Sequence, residues 1–319
     1  MASSPALQQF SAGTVHRRPG LRDIWPLLRD AAKEWDEDNA SRLAAALSYY
    51  TLLSVAPLIV LSIAIAGLAY GPEAARGEIA RELGSVVGAQ AAQAIESIIA
   101  HAEAPASGIV STVIGLVVLL LGASGVFNEL ATALNEIFDV KRKRDQGALG
   151  FVRHRLFAFA MVLSVAFLLL ITLVASAALS AVGHFFASYL PGGEFIWQLA
   201  NFTLGLAFTT ALFGLIFKVV PDVRAGWSDL WVGALFTAAL FSLGRLLLAL
   251  YIGKSAPTSS YGAAGSMVAL VIWVYYSTQV FFFGAEFTQV YARRFGNPIL
   301  PSERALSSVP APAAAPDAG

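Results

Sequence analysis

The sequence predicts an all-α polytopic membrane protein, a bundle of six transmembrane helices with an amphipathic external helical segment. Two observations predict it. Apolar residues make up 57% of the 319 positions and charged residues only 13%, whereas soluble domains carry about a quarter charged residues. The charge that is present leaves intervals as long as the ~20 apolar residues that a ~30 Å hydrocarbon core requires.

The elements follow in chain order. Residues 1–37 form an amino-terminal segment whose basic stretch, His16 to Arg22, has no apolar h-region beside it; no cleaved signal peptide is expected, and this end is placed in the cytoplasm. Residues 38–295 form the six-span domain, with spans at about 43–70, 106–128, 156–183, 195–217, 229–251 and 261–288. Proline and glycine punctuate the junctions: Gly71-Pro72 stops the first span, Pro105 precedes the second, and Pro191-Gly192-Gly193 separates the third from the fourth. Residues 296–319 are expected to be a disordered cytoplasmic tail, rich in Pro, Ala and Ser from Ser302 onward.

Between the first two spans, Glu73 to Glu103 is too charged to cross a membrane. It still carries Ile79, Leu83, Val86, Ile95 and Ile99 at helical spacing. It predicts an amphipathic helix, either lying at the outer mouth or packed against the bundle.

Orientation comes from the basic residues, which cytoplasmic loops retain in excess. The amino-terminal segment carries Arg17, Arg18, Arg22, Arg29, Lys33 and Arg42. The connection after span two carries Lys141, Arg142, Lys143, Arg144, Arg153 and Arg155. Lys218 and Arg224 follow span four, and Arg293, Arg294 and Arg304 follow span six, against Arg76, Arg81 and Lys254 on the other side. The predicted location is the bacterial inner (plasma) membrane with both termini cytoplasmic.

Several chemistries are excluded. There is no cysteine, so disulfides, thiolate catalysis and Cys-ligated metals are absent. His16, His101, His154 and His184 are scattered and form no HExxH or paired-ligand spacing. No phosphate loop or GxSxG elbow occurs. The expectation is a protein that is not an enzyme, uses no cofactor and holds no metal. Zero net charge gives no argument for nucleic acid, and the Lys141 to Arg144 run is explained by topology and anionic lipid contact.

Polar residues inside the spans are the candidates for function, because an ionisable group in hydrocarbon costs ~2.5–3.5 kcal/mol on insertion scales. Arg245 in span five either snorkels to the outer surface or attracts an anion in an outward cavity. Glu286 lies near the inner end of span six, sharing a helical face with Tyr276, Gln279 and Phe283; Arg42 or Lys218 is expected as its partner at similar depth. Asp38, Asn39 and Arg42 open span one, and Tyr49 precedes Pro57, whose ring interrupts that helix. Asn128, Thr132, Asn135 and Asp139 form a stripe that lines an inner vestibule or simply faces water where the helix leaves the membrane. For Glu286 a structural ion pair and a transport site both stand.

Certain segments together resemble one family. They are Asp38-Asn39 followed by Ala44 to Tyr50 and Ala56-Pro57-Leu58; Leu134-Asn135-Glu136-Ile137-Phe138-Asp139 with the basic run behind it; Val220-Pro221-Asp222-Val223 leading to Trp227; and Tyr261-Gly262-Ala263, Trp273-Val274-Tyr275 and Gly284-Ala285-Glu286. In order and spacing, from about Arg29 to Arg294, they resemble the YihY/virulence factor BrkB family. The resemblance implies a six-span inner-membrane protein. Similar proteins carried the label ribonuclease BN, or have been linked with serum resistance or proposed as transporters or lipid exporters. The residues argue against a ribonuclease, since no metal cluster or basic groove with interleaved aromatics is present. The preferred expectation is export or flipping of a small solute or lipid without direct ATP hydrolysis. The first rival is a non-transporting scaffold or envelope-assembly factor, and the second a membrane-embedded enzyme. Membrane lipids and an unidentified small-molecule or lipid substrate are the expected partners; oligomerisation is left open.

Overall fold

In a computed structural model, residues 20–54, 93–97, 125–142, 193–255, 265–297, 299–302 and 305–307 are described, with isolated positions 71, 73 and 77. Pro57, most of the first two expected spans, the whole of the third and nearly all of the external segment lie outside the described residues.

Helix α1 runs Ile24–Glu37. A single 3-10 turn, Leu21–Asp23, precedes it, and there the Asp23 carboxylate accepts the Gly20 N–H at 2.8 Å. Pro26 is tolerated because it sits in the first turn, where no intrahelical donor is lost. The helix ends when Asp38 N–H bonds back to the Glu34 carbonyl at 2.8 Å and Asn39 turns left-handed, φ 51°. Asparagine is among the few residues that adopt this conformation cheaply.

Helix α2 follows over residues 40–54, and α3 is described over 125–137. Helix α3 ends as α1 does: Phe138 N–H bonds to the Leu134 carbonyl at 3.0 Å and Asp139 takes φ 55°. Three long helices complete the described bundle: α4, Gly193–Val219; α5, Trp227–Ser255; and α6, Gly265–Phe295. Val220-Pro221 ends α4, since the residue before proline is driven out of helical geometry. Gly296 ends α6, its N–H reaching the Ala292 carbonyl at 3.2 Å.

Helices α4 to α6 are the three among the described residues that are long and apolar enough to cross a membrane, over Phe202–Val219, Trp227–Leu247 and Gly265–Phe295. They coincide with the expected fourth, fifth and sixth spans. Phe202, Leu235, Leu243 and Leu246 are left exposed along them, as side chains that face lipid would be.

Helix α5 packs against both α4 and α6, and α6 also carries α1. The core joins Leu134, Ile137 and Phe138 to Phe213 and Phe217 of α4, Leu230 of α5 and Phe281 and Phe282 of α6. Its rings meet at 6.4 Å for Phe138–Phe217, 5.2 Å for Phe217–Phe281 and 5.5 Å for Phe213–Phe281. These are separations at which aromatic pairs attract. A second cluster seats α1, placing Leu27 and Ala31 against Phe287 and Val290.

The described residues are mostly helical, as the all-α expectation has it, and two short ribbons add strand structure that involves residues 300–301 and 305–307 of the expected disordered tail. Strand β1, Val140–Arg142, pairs antiparallel with β4, Ala305–Ser307; β2, Val223–Arg224, pairs with β3, Leu300–Pro301. Ser302 N–H adds a bond to the Asp222 carbonyl at 2.9 Å. The first part of the tail is thus tied to the connections after α3 and α4. The amino-terminal segment likewise holds an ordered helix, α1, that composition alone did not reveal.

Candidate functional site

The last turns of α6 carry Glu286, Gln289 and Arg293, three and four residues apart and therefore on one helical face. Glu286 is wholly buried, and among the described residues neither of its carboxylate oxygens has a hydrogen-bond donor. Opposite this face stand the two left-handed turns. One brings Asp38 into hydrogen-bonding reach of Glu286, and the other brings Asp139, whose Oδ2 accepts Gln289 Nε2 at 2.8 Å and lies 4.0 Å from Arg293. Helix α1 adds Glu34, paired with Arg293 at 3.0 Å, and Asp30, paired with Arg294 at 2.6 Å. Gln289 Oε1 is also buried, with no donor among the described residues.

The charges surrounding Glu286 are mainly of its own sign: Asp38, Glu34 and Asp139, opposed by the Arg293 guanidinium. The same crowding acts on Asp38. Half-burial first, then the negative charges of Asp139, Glu34 and Glu136, push its carboxyl up to about 6, while the bond with Glu286 pulls it back.

The expected partners of Glu286 need correction. Arg42 instead reaches Glu136 at 3.6 Å, with both side chains well exposed. Lys218 donates to the Ala225 carbonyl at 2.5 Å and lies 5.6 Å from the centre of the Trp227 ring. Arg42 bridges α2 to α3 and Lys218 holds the loop after α4, while the cation that acts on Glu286, Arg293, comes from its own helix.

The stripe on α3 does not act as one surface. Asn128 and Thr132 are exposed, and Thr132 only bonds back to the Asn128 carbonyl at 2.8 Å. Asn135 is buried and clamps the turn after α4: its Oδ1 accepts the Asp222 N–H at 2.7 Å, and its Nδ2 donates to Asp222 Oδ2 at 3.3 Å. Only Asp139 reaches the site.

Arg245 is exposed on α5. Its neighbour Gly244 faces Tyr276 of α6, ten positions before Glu286 and so ~15 Å along the helix. As expected, the two do not meet. Tyr49 is exposed and stacks edge-on against Tyr50 at 5.6 Å. Asn39 contributes through its backbone turn, its side chain donating to the Glu37 carbonyl at 3.2 Å. Gln279 lines a shallow apolar groove of about 330 Å³ with Ala32, Trp35, Leu240, Val280 and Phe283, and its buried Oε1 has no donor among the described residues.

Sequence reasoning missed Gln289 and the pairing role of Arg293, which had been counted only as a topological charge. The signal was present, because both continue the Glu286 face at helical spacing. Among the described residues, no three His, Asp or Glu side chains converge in a way that would hold a metal ion.

The profile of a family described as Virulence factor BrkB matches residues 31–306. A UPF0761 membrane protein of Rhodospirillum centenum is 30% identical over 283 residues, covering 86% of this chain and 60% of the relative. One from Alteromonas mediterranea is 27% identical over 283 residues, covering 88% of this chain and 91% of the relative. A third, from Verminephrobacter eiseniae, is 28% identical over 258 residues, covering 79% and 58% respectively. The chain thus spans about three fifths of the length of the first and third of these relatives. No solved structure matches.

Proposed function

This chain belongs to the virulence factor BrkB family of membrane proteins, and from that premise we propose that it is an inner-membrane transporter that exports or flips a small solute or lipid without hydrolysing ATP itself. In this reading the chain crosses the membrane six times with both termini in the cytoplasm, so the carboxyl end of α6 and the Glu286 site face inward. It catalyses no covalent reaction and takes no cofactor.

One observation carries the proposal. A carboxylate with no solvent exposure, and with no donor to either oxygen among the described residues, sits in a helix apolar enough to span a bilayer. Such a group destabilises a bundle, so its presence is better explained by what it binds than by how it packs. The apolar groove under Trp35, with the Gln279 amide at its wall, supports a substrate that carries an apolar portion.

A second reading, a non-transporting scaffold or assembly factor, is favoured by the aromatic core of Phe138, Phe213, Phe217 and Phe281. That core is packed as a static bundle would be. The apolar groove beside α1 is not lined by Glu286.

The test compares the metabolites and lipids of cells with and without the gene, then measures flux of any compound whose level changes across vesicles holding the purified chain. Transport predicts a compound that accumulates in the deletion strain, and flux that Glu286→Gln lowers. Identical profiles in the two strains would remove the transport reading and leave the scaffold.

A further inference from the structure

Resting on the transport reading, the geometry points to a proton as the ligand of this site: we propose that Glu286 holds one proton and donates it to the Asp38 carboxylate, the two side chains forming an acid pair at the inner end of the bundle.

The argument begins with hydrogen-bond inventory. An ionised carboxylate only accepts, so two ionised carboxylates facing each other contribute lone pairs and no donor. Glu286 in that state leaves both oxygens unmatched in a fully buried position, within reach of another acceptor. A single proton turns that clash into a charge-assisted O–H···O bond, the strong class of hydrogen bond. It also lowers by one the number of negative charges crowded there.

The remaining neighbours agree with that assignment. The charges that act on Glu286 are Asp38 in the turn before α2, Glu34 of α1, Asp139 in the turn after α3, and Arg293 of α6 itself. Glu136 of α3 acts on the Asp38 side and is itself paired with Arg42. Arg293 is already engaged by Glu34 at 3.0 Å and Asp139 at 4.0 Å. Its charge is thus divided between two other carboxylates. The Gln289 amide, one turn along the same helix, spends its Nε2 donor on Asp139.

The pair also joins two parts of the fold. Glu286 belongs to a membrane-crossing helix, while Asp38 belongs to the left-handed turn linking α1 to α2. Loss of the proton sets two negative charges against each other across that junction, and gain of the proton draws them together. The proposal therefore supplies a coupling ion for transport.

The test is infrared spectroscopy of the full chain in lipid nanodiscs across a pH series. A carboxylic-acid carbonyl band is expected at neutral pH. It should fade as pH rises, disappear in Glu286→Gln, and shift in frequency in Asp38→Asn, where the acceptor becomes an amide. Absence of the band at pH 7, or its persistence unchanged in Glu286→Gln, overturns the proposal. Should Glu286→Gln fail to fold, the Asp38→Asn spectrum decides: an unshifted band overturns it. The measurement needs no substrate, so it separates the two ideas. Flux without the band removes the shared proton and leaves transport, whereas the band in a chain that moves no compound removes transport and leaves the pair.

Discussion

Thr237 of α5 occupies the space that a side chain on Gly284 of α6 would need, and four residues along each helix the roles reverse, with Thr288 of α6 filling the space beside Gly233 of α5. Each threonine hydroxyl is turned into its own helix, Thr237 to the Gly233 carbonyl at 2.7 Å and Thr288 to the Gly284 carbonyl at 2.6 Å. The contact is therefore one of shape, with the polar atoms satisfied locally. In lipid, where hydrophobic burial does not drive helices together, close packing of small residues is what holds them.

Gly284→Ala should accordingly destabilise the bundle by ~1–3 kcal/mol through overpacking, read as a lower thermal midpoint of the purified chain in detergent. Gly205→Ala on α4, where an added methyl meets none of the described residues within 4 Å, should leave the midpoint unchanged. Equal effects at the two positions would refute the interlock.

Asn135 holds the turn after α4 from both sides of its amide. Asn135→Ala removes the acceptor of the Asp222 N–H, at a cost of ~1–3 kcal/mol for a buried group left unmatched. Asn135→Asp keeps that acceptor but sets a second carboxylate against Asp222 Oδ2. Both variants should melt below wild type and expose residues 220–226 to limited proteolysis. Wild-type resistance in Asn135→Ala would show that the clamp carries no weight.

Helix α1 is seated by apolar contact more than by charge. Leu27→Ala, at a buried site against Phe287 and Val290, should cost ~2–5 kcal/mol. Asp30→Asn breaks a pair whose side chains are 42% and 39% exposed and should cost ~0–1 kcal/mol. Amide hydrogen exchange along 24–37 should rise in the first variant and change little in the second. The reverse order would contradict this account of the seat.

The Asp38 carboxyl titrates at about 6 in the folded chain, against 3.8 for a free side chain. Between those values the folded state binds more protons than the unfolded one, so stability falls as pH rises through that window. The contribution is unfavourable above pH 6 and absent below 3.8. Thermal midpoints measured from pH 4 to 7 should show this slope in wild type and a shallower one in Asp38→Asn, which should also melt higher at pH 7. A wild-type slope of the opposite sign, kept in the variant, would contradict the assignment.

The long helices were legible because hydropathy and punctuation agree: the expected 195–217, 229–251 and 261–288 became Gly193–Val219, Trp227–Ser255 and Gly265–Phe295. Glu286 was legible as an ionisable residue in an apolar run. Its partner was not, because nothing in local spacing links Asp38 to a residue so far along the chain. Charge complementarity favoured Arg42 and Lys218, yet both are drawn to nearer acceptors, Glu136 and the Ala225 carbonyl. The ribbons at Val140–Arg142 and Val223–Arg224 were hidden for a different reason, since two or three residues are too few to display an alternating pattern. Helix α1 did carry a signal, Leu27, Leu28, Ala31 and Trp35 at helical spacing, but its charged face masked it.

The claim on which the rest depends is that Glu286 is retained for what it binds and not for how it holds the bundle together. Its most direct test is the thermal midpoint of Glu286→Gln, purified at full length and measured at pH 8 beside wild type. An uncharged amide that donates to Asp38 in place of a proton should melt at or above the wild-type temperature. A midpoint lower by several degrees would mean that the carboxylate is a packing element, and would contradict the account.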